Sequence, residues 1–225
     1  SFLTSSQKPF ITSDDKRDVM TMTLPNQLTT LRILLTPVFV WLILSDAPYL
    51  RIAGIGVFII ASLTDLYDGY HARKYRQTTR WGAFMDPLAD KILITSAFIY
   101  FVHLGLLSLW MVIVVALRDV MVTLLRLYAE WKDKPVITSK SAKIKTALQN
   151  VLAYLLLLLS LLRERVLFSE SISAIAERLL FHGWVYWAML SLTLYTVYTG
   201  VAYLFENWQT LRAAYFGTHS TLNAS

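Results

Sequence analysis

The chain has 225 residues, 56% of them hydrophobic and 16% charged, with a mean hydropathy of +0.49 and a formal net charge of +6. Soluble proteins average about 25% charged residues and less apolar content, which excludes a disordered chain and fits an ordinary water-soluble domain poorly. The absence of cysteine excludes a disulfide framework, a thiolate metal site and a cysteine nucleophile.

Residues 1–23 form a polar arm with Ser5, Ser6, Asp14, Asp15, Lys16 and Arg17. No apolar core precedes a cleavage site there, so a signal peptide is not expected; the arm has room for a short interfacial helix, and Met20 or Met22 is an alternative start. Residues 24–206 form one helical domain, and 207–225 a C-terminal tail. Within the domain, apolar stretches at 28–44, 51–66, 88–107, 109–127, 146–162 and 184–204 each approach the ~20 residues that cross a bilayer. Alternation with a period of two is absent, and the leucine run at 155–159 is wrong for a barrel strand. The expected fold is therefore an all-α integral membrane protein with six transmembrane helices. The third and fourth spans are nearly continuous between His103 and Ser108, which predicts a tight hairpin. No internal repeat is evident.

With both termini on one side of the membrane, every Lys and Arg lies on or near that side except Arg51, Arg163, Arg165 and Arg178. The positive-inside rule then places both termini in the cytoplasm, in a multi-pass protein of the inner (cytoplasmic) membrane. Trp184 and Trp187 fit an external aromatic belt, with Trp131 and Trp208 as its cytoplasmic counterpart. His71, His103 and His182 are scattered and read as interface residues. The sequon Asn223-Ala224-Ser225 falls in the cytoplasmic tail, where it would not meet the glycosylation machinery.

Chemistry concentrates between Thr64 and Lys91. Asp65 and Asp68 are three apart at the cytoplasmic end of the second span, and Asp86 and Asp90 four apart at the start of the third. Both spacings place a pair on one helical face, and consecutive antiparallel helices can bring the pairs together. Four close anions next to hydrocarbon are costly unless a cation neutralises them. Oxygen ligands alone favour a hard divalent ion such as Mg²⁺, with Mn²⁺ or Ca²⁺ as substitutes. Four carboxylates suit two ions sharing ligands, an arrangement that handles phosphoryl groups. The plainer reading is four separate, solvated aspartates. Gly69 and Gly82 flank the carboxylates and keep space open for a ligand, or serve close helix packing. Arg73, Lys74, Arg76 and Arg80 offer phosphate partners, or surface ion pairs.

Asp65-x-x-Asp68-Gly69-x-x-Ala72-Arg73, then eight residues, then Gly82-x-x-x-Asp86-x-x-x-Asp90 resembles the signature of the CDP-alcohol phosphotransferase family. The resemblance implies six transmembrane helices, a homodimer and a cytoplasm-facing site, in agreement with the spans and orientation read above. It implies that Asp65, Asp68, Asp86 and Asp90 hold two divalent metals, with Asp90 also the general base. It further implies that Gly69, Arg73 and Thr79, with Gly82 beside them, bind the CDP donor. Members transfer a phosphatidyl or similar group from a CDP-linked donor to an alcohol and release CMP.

The acceptor is read from the third cytoplasmic segment. Arg118 and Arg126 lie eight apart in the fourth span, and Lys140, Lys143 and Lys145 follow. Arginine within a span is costly and is expected to face a polar cavity, so Arg118, Arg126, Lys143 and Lys145 are candidates for holding an acceptor phosphate. The lysines alone could instead hold anionic lipid heads, at about 1 kcal/mol each. Three segments resemble the phosphatidylglycerophosphate synthase branch of the family: Leu24 to Arg32, Arg118-Asp119 with Arg126, and Ser139-Lys140-x-x-Lys143-x-Lys145-Thr146-x-x-Gln149. Ala142 stands where that branch usually has glycine. The implied donor is CDP-diacylglycerol, the acceptor sn-glycerol 3-phosphate and the products phosphatidylglycerophosphate and CMP, with Asn26 and Thr29 helping to hold the donor. A cardiolipin synthase of the same family, with phosphatidylglycerol as acceptor, is the nearest rival, and inositol phosphates are a third option. A divalent-metal transporter is more distant, because transporter sites sit near the midplane between repeated halves. No nucleic-acid partner is expected.

Overall fold

The computed structural model describes the backbone of residues 24–75, 80–131 and 140–208, and side chains within 27–64, 85–129 and 140–208. Among the described residues all regular structure is helical: α1 (Leu24–Ile43), α2 (Pro48–Tyr75), α3 (Arg80–His103), α4 (Leu109–Trp131), α5 (Lys140–Leu162), α6 (Glu170–Leu180) and α7 (Trp184–Glu206). Six long helices coincide with the six apolar stretches. The eleven-residue α6 is an addition that a search for spans does not register. Its acidic first turn (Glu170) and basic last turn (Arg178) complement the helix dipole, and it buries Ser173, Ala176 and Leu180.

Local chemistry sets several boundaries. Pro48 opens α2, where its fixed φ and missing N–H cost nothing. The α3–α4 hairpin is closed by its backbone. Gly105 takes φ of 72°, and the Leu106 N–H returns to the Phe101 carbonyl at 3.0 Å and the Gly105 N–H to Val102 at 2.9 Å. This 6→1 and 5→2 pair is a Schellman closure, and the positive φ is why glycine stands there.

The helices run past the apolar stretches. α2 continues to Tyr75 and α3 begins at Arg80, so the four aspartates lie inside helices, one turn or more from their ends. Among the described residues, α5 and α7 are the helices long and apolar enough by themselves to cross a membrane, with shorter apolar segments at Gln27–Ile43 and Pro48–Thr64. The physical reason is charge: α3 carries Asp86, Asp90 and Lys91, and α4 carries Arg118, Asp119 and Arg126.

α1 packs on α2 and α3, α4 on α3 and α7, and α5 on α7, α6 and α3. Phe39, Phe58, Phe98, Phe101, Met111 and Leu156 fill the shared core. The Phe39 and Phe58 rings lie 5.2 Å apart, and Phe58 meets Tyr154 edge-on at 5.8 Å, tying α1, α2 and α5. Outward faces are apolar as well: Trp41, Ile60, Ile99, Leu117, Val151 and Leu194 are 45–69% exposed. At the end of the bundle where α2 begins and α5 finishes, Arg51 donates to Glu164 through Nε at 2.8 Å and Nη2 at 3.0 Å, a two-pronged pair.

Gly54 sets the closest approach of α1 and α2. A Cβ there would stand 3.0 Å from the Ile43 backbone nitrogen and 3.1 Å from the Leu42 Cβ, whereas one on Gly56 would meet nothing within 4 Å. Gly54→Ala is therefore expected to destabilise the protein by about 1–3 kcal/mol, while Gly56→Ala is neutral or slightly stabilising. Thermal unfolding in detergent micelles checks the pair.

Candidate active site

The end of the bundle where α1, α3 and α5 begin and α4 and α7 finish gathers the polar chemistry. On α3, Asp86 and Asp90 are one turn apart and half-buried. The buried Thr29 on α1 donates its hydroxyl hydrogen bond to Asp86 Oδ1, fixing that carboxylate against the first helix. Lys91 Nζ stands 3.6 Å from Asp90 Oδ2. The side chains of Asp65, Asp68, Gly69, Arg73, Gly82 and Asn26, and Thr79 altogether, lie outside the described residues. Among the described residues no three carboxylate or imidazole groups converge as metal ligands. Asp86 and Asp90 supply half of the all-oxygen set that the sequence pointed to, and their shared face fits a hard cation.

Beside them lies a cavity of about 790 Å³. α3 contributes Asp90 and Lys91 to its lining; α4 contributes Arg118, Asp119, Thr123 and Arg126; α5 contributes Lys143, Thr146 and Asn150; α7 contributes Tyr203. Four cations face two carboxylates across this lining, so the cavity carries a net positive charge suited to an anionic ligand. Arg126 and Lys143 are exposed at its rim, whereas Arg118 is mostly withdrawn. The structure thus brings together Asp90, Arg118, Arg126 and Lys143, four of the site residues expected from sequence.

Lys145 is placed differently. It is fully buried and absent from the cavity lining. Its ammonium donates to Asp119 Oδ1 at 2.5 Å and to Gln149 Oε1. The cause is helical phase: two residues apart on α5, Lys143 and Lys145 point some 200° from each other, so one faces the cavity and the other the interior. Asp119 Oδ1 also accepts from Arg118 Nη1 at 3.3 Å. One carboxylate therefore holds two cations, and its Oδ2 has no hydrogen-bond partner among the described residues.

Several residues of this network carried no role in the sequence reading. Asp119 and Gln149 stood there only within the segments that carry the resemblance, and Thr199 of α7, which accepts from Arg118 Nη2 at 3.1 Å, was not singled out. The signal for Thr199 was its spacing from Thr193 and Thr196, which puts three hydroxyls on one buried side of an otherwise apolar helix.

Residues 22–195 match the profile of the CDP-alcohol phosphatidyltransferases. The chain is 36% identical over 203 residues to the Bacillus subtilis (strain 168) protein named CDP-diacylglycerol–glycerol-3-phosphate 3-phosphatidyltransferase, covering 85% of this chain and 98% of that one. It is 36% identical over 146 residues to the Escherichia coli (strain K12) protein of the same name, covering 61% of this chain and 78% of that one. A probable phosphatidylglycerophosphate synthase of Mycobacterium tuberculosis (strain ATCC 25618 / H37Rv) is 38% identical over 131 residues, covering 57% and 62% respectively.

Lys145 is the closer of the two cations on Asp119, and losing it leaves that buried carboxylate with Arg118 alone, at 3.3 Å. Lys145→Met is expected to cost about 3–5 kcal/mol of stability, and Asp119→Asn in the same chain to recover part of that loss. Denaturant or thermal unfolding of the single and double variants reads both effects.

Proposed function

Because the chain belongs to the CDP-alcohol phosphatidyltransferase family, we propose that it is an enzyme that transfers the phosphatidyl group of CDP-diacylglycerol to sn-glycerol 3-phosphate, giving phosphatidylglycerophosphate and CMP. The observation that carries this reading is the cavity that joins Asp90 to Arg118, Arg126 and Lys143: a carboxylate base beside a cluster of phosphate partners. The names of the B. subtilis and E. coli relatives support the same donor and acceptor. A volume of about 790 Å³ lies within the ordinary range for small-ligand sites.

An alcohol is a weak nucleophile at neutral pH. Asp90 takes the proton of the acceptor hydroxyl as its oxygen attacks the phosphatidyl phosphorus. A new P–O bond forms, the pyrophosphate P–O bond breaks, and CMP leaves with the electron pair. Arg118, Arg126 and Lys143 hold the acceptor phosphate, and the guanidinium forks match its oxygens. Gly69, Arg73, Thr79, Gly82, Asn26 and Thr29 form the donor side, where Thr29 also orients Asp86. Asp65, Asp68, Asp86 and Asp90 are the residues that would hold two Mg²⁺ or Mn²⁺ ions. When bound, such ions neutralise the pyrophosphate and the leaving phosphate.

The six long helices span the bilayer of the inner membrane, with both termini and the active site on the cytoplasmic side and α6 at the opposite surface. The apolar outward faces support burial in lipid, and the one-sided distribution of Lys and Arg supports the orientation. The working unit is a homodimer.

CMP release from CDP-diacylglycerol by the purified protein tests the reading. Glycerol 3-phosphate, phosphatidylglycerol or inositol 1-phosphate is supplied as the sole acceptor. Release is expected with glycerol 3-phosphate, to be lost on chelation and restored by Mg²⁺ or Mn²⁺, and to fall at least about 100-fold in Asp90→Asn. Release with phosphatidylglycerol alone would make the protein a cardiolipin synthase of the same family. Metal flux without CMP release would make it a transporter.

A further inference from the structure

α7, outside the segments that carry the family's motifs, holds Arg118, the least exposed cation of the cavity lining. Thr199 is fully buried. Its hydroxyl donates to the Thr196 carbonyl at 3.0 Å, which commits its only proton. The oxygen is then left to act as acceptor, and it accepts from Arg118 Nη2 at 3.1 Å. Next to it, Gly200 leaves room for the arginine stem: a Cβ on Gly200 would lie 3.0 Å from Arg118 Cγ and 3.5 Å from Nε. On the other side, Nη1 is drawn to Asp119 Oδ1 at 3.3 Å, and that oxygen is itself anchored by Lys145. The guanidinium is thus held at two nitrogens by two helices, in a plane set before any ligand arrives.

We infer that Thr199 and Gly200 form a cradle on α7 that positions Arg118 for the acceptor's phosphate, so that α7 helps determine affinity for the acceptor and not for the donor. The inference rests on the phosphatidyl-transfer reading, and it makes Thr199 a positioning residue with no contact to the reacting atoms. Arginine recognises a phosphate through the plane and direction of its fork. A guanidinium free to rotate keeps its charge but loses that direction. Valine at 199 matches threonine in shape and removes the hydroxyl, with both its acceptor role toward Arg118 and its bond to the Thr196 carbonyl; serine keeps the hydroxyl and removes only the methyl.

The test compares the full-length protein with Thr199→Val, Thr199→Ser and Gly200→Ala in detergent micelles, reading CMP release while each substrate is varied. Thr199→Val is expected to raise the KM for glycerol 3-phosphate about tenfold and leave the KM for CDP-diacylglycerol within about twofold. Thr199→Ser is expected to stay within about twofold of the parent in both constants, and Gly200→Ala to move in the same direction as valine by about threefold. The inference is overturned if valine shifts the two KM values together, shifts neither, or is matched by serine. Broadening of the ³¹P resonance of inorganic phosphate by each protein separates this result from the enzyme assignment. If the parent releases no CMP with glycerol 3-phosphate yet broadens the line, and Thr199→Val does not, the cradle stands while the acceptor assignment falls. Equal broadening by both, or none by the parent, overturns the cradle.

Discussion

One buried carboxylate organises the polar half of this molecule. Asp119 lies almost out of solvent on α4, where an unpaired charge is too costly to keep. It is kept because Lys145 of α5 and Arg118 of its own helix share one of its oxygens. That arrangement joins α4 to α5, and through Arg118 and Thr199 it joins α4 to α7. Three helices whose remaining contacts are largely greasy and slippery are therefore pinned in register by directional bonds. The two cations outweigh the carboxylate, so the interior is left with an unsettled positive charge beside the cavity. An anionic ligand completes the electrostatics, and packing alone would not create such a demand.

The same economy appears at the opposite end, where Arg51 and Glu164 neutralise each other completely. There the pair is one-to-one, and no ligand is called for. The contrast distinguishes an ion pair that closes a structure from one that prepares a site. Across the cavity, Lys91 stands 3.6 Å from Asp90, a looser pairing than that of Arg51 with Glu164.

Much of this was legible before any coordinates. The positions of the six long helices follow from runs of apolar residues, and the hairpin at Gly105 from the small gap between two of them. Asp86 and Asp90 lie on one face because four residues make about one turn, and Arg118 and Arg126 share a cavity because eight make about two. The rest needed geometry finer than a motif. Lys143 and Lys145 sit in one basic string, yet helical phase sends them to opposite sides. Hydropathy marks an apolar core but not where a helix stops, so the ends of α2, α3, α4 and α5 run past it. An eleven-residue helix such as α6 falls below any span threshold. Thr199 is a hydroxyl in a greasy sequence, and only the partner across the helix interface gives it meaning.

The Schellman turn at Gly105 has a consequence for how the site is measured out. Asp90 lies on one leg of the α3–α4 hairpin, and Arg118 and Arg126 on the other. At 1.5 Å per residue, Asp90 sits about 20 Å down its leg from His103, while the two arginines sit about 14 and 26 Å down theirs from Leu109. Asp90 thus falls at a depth between the two arginines, and the closed turn fixes that offset like the jaws of a caliper. Lengthening either leg by a single residue would slide one jaw by 1.5 Å and turn it by about 100°. The hairpin therefore acts as a ruler whose zero mark is Gly105, at the far end of the bundle from the residues it aligns.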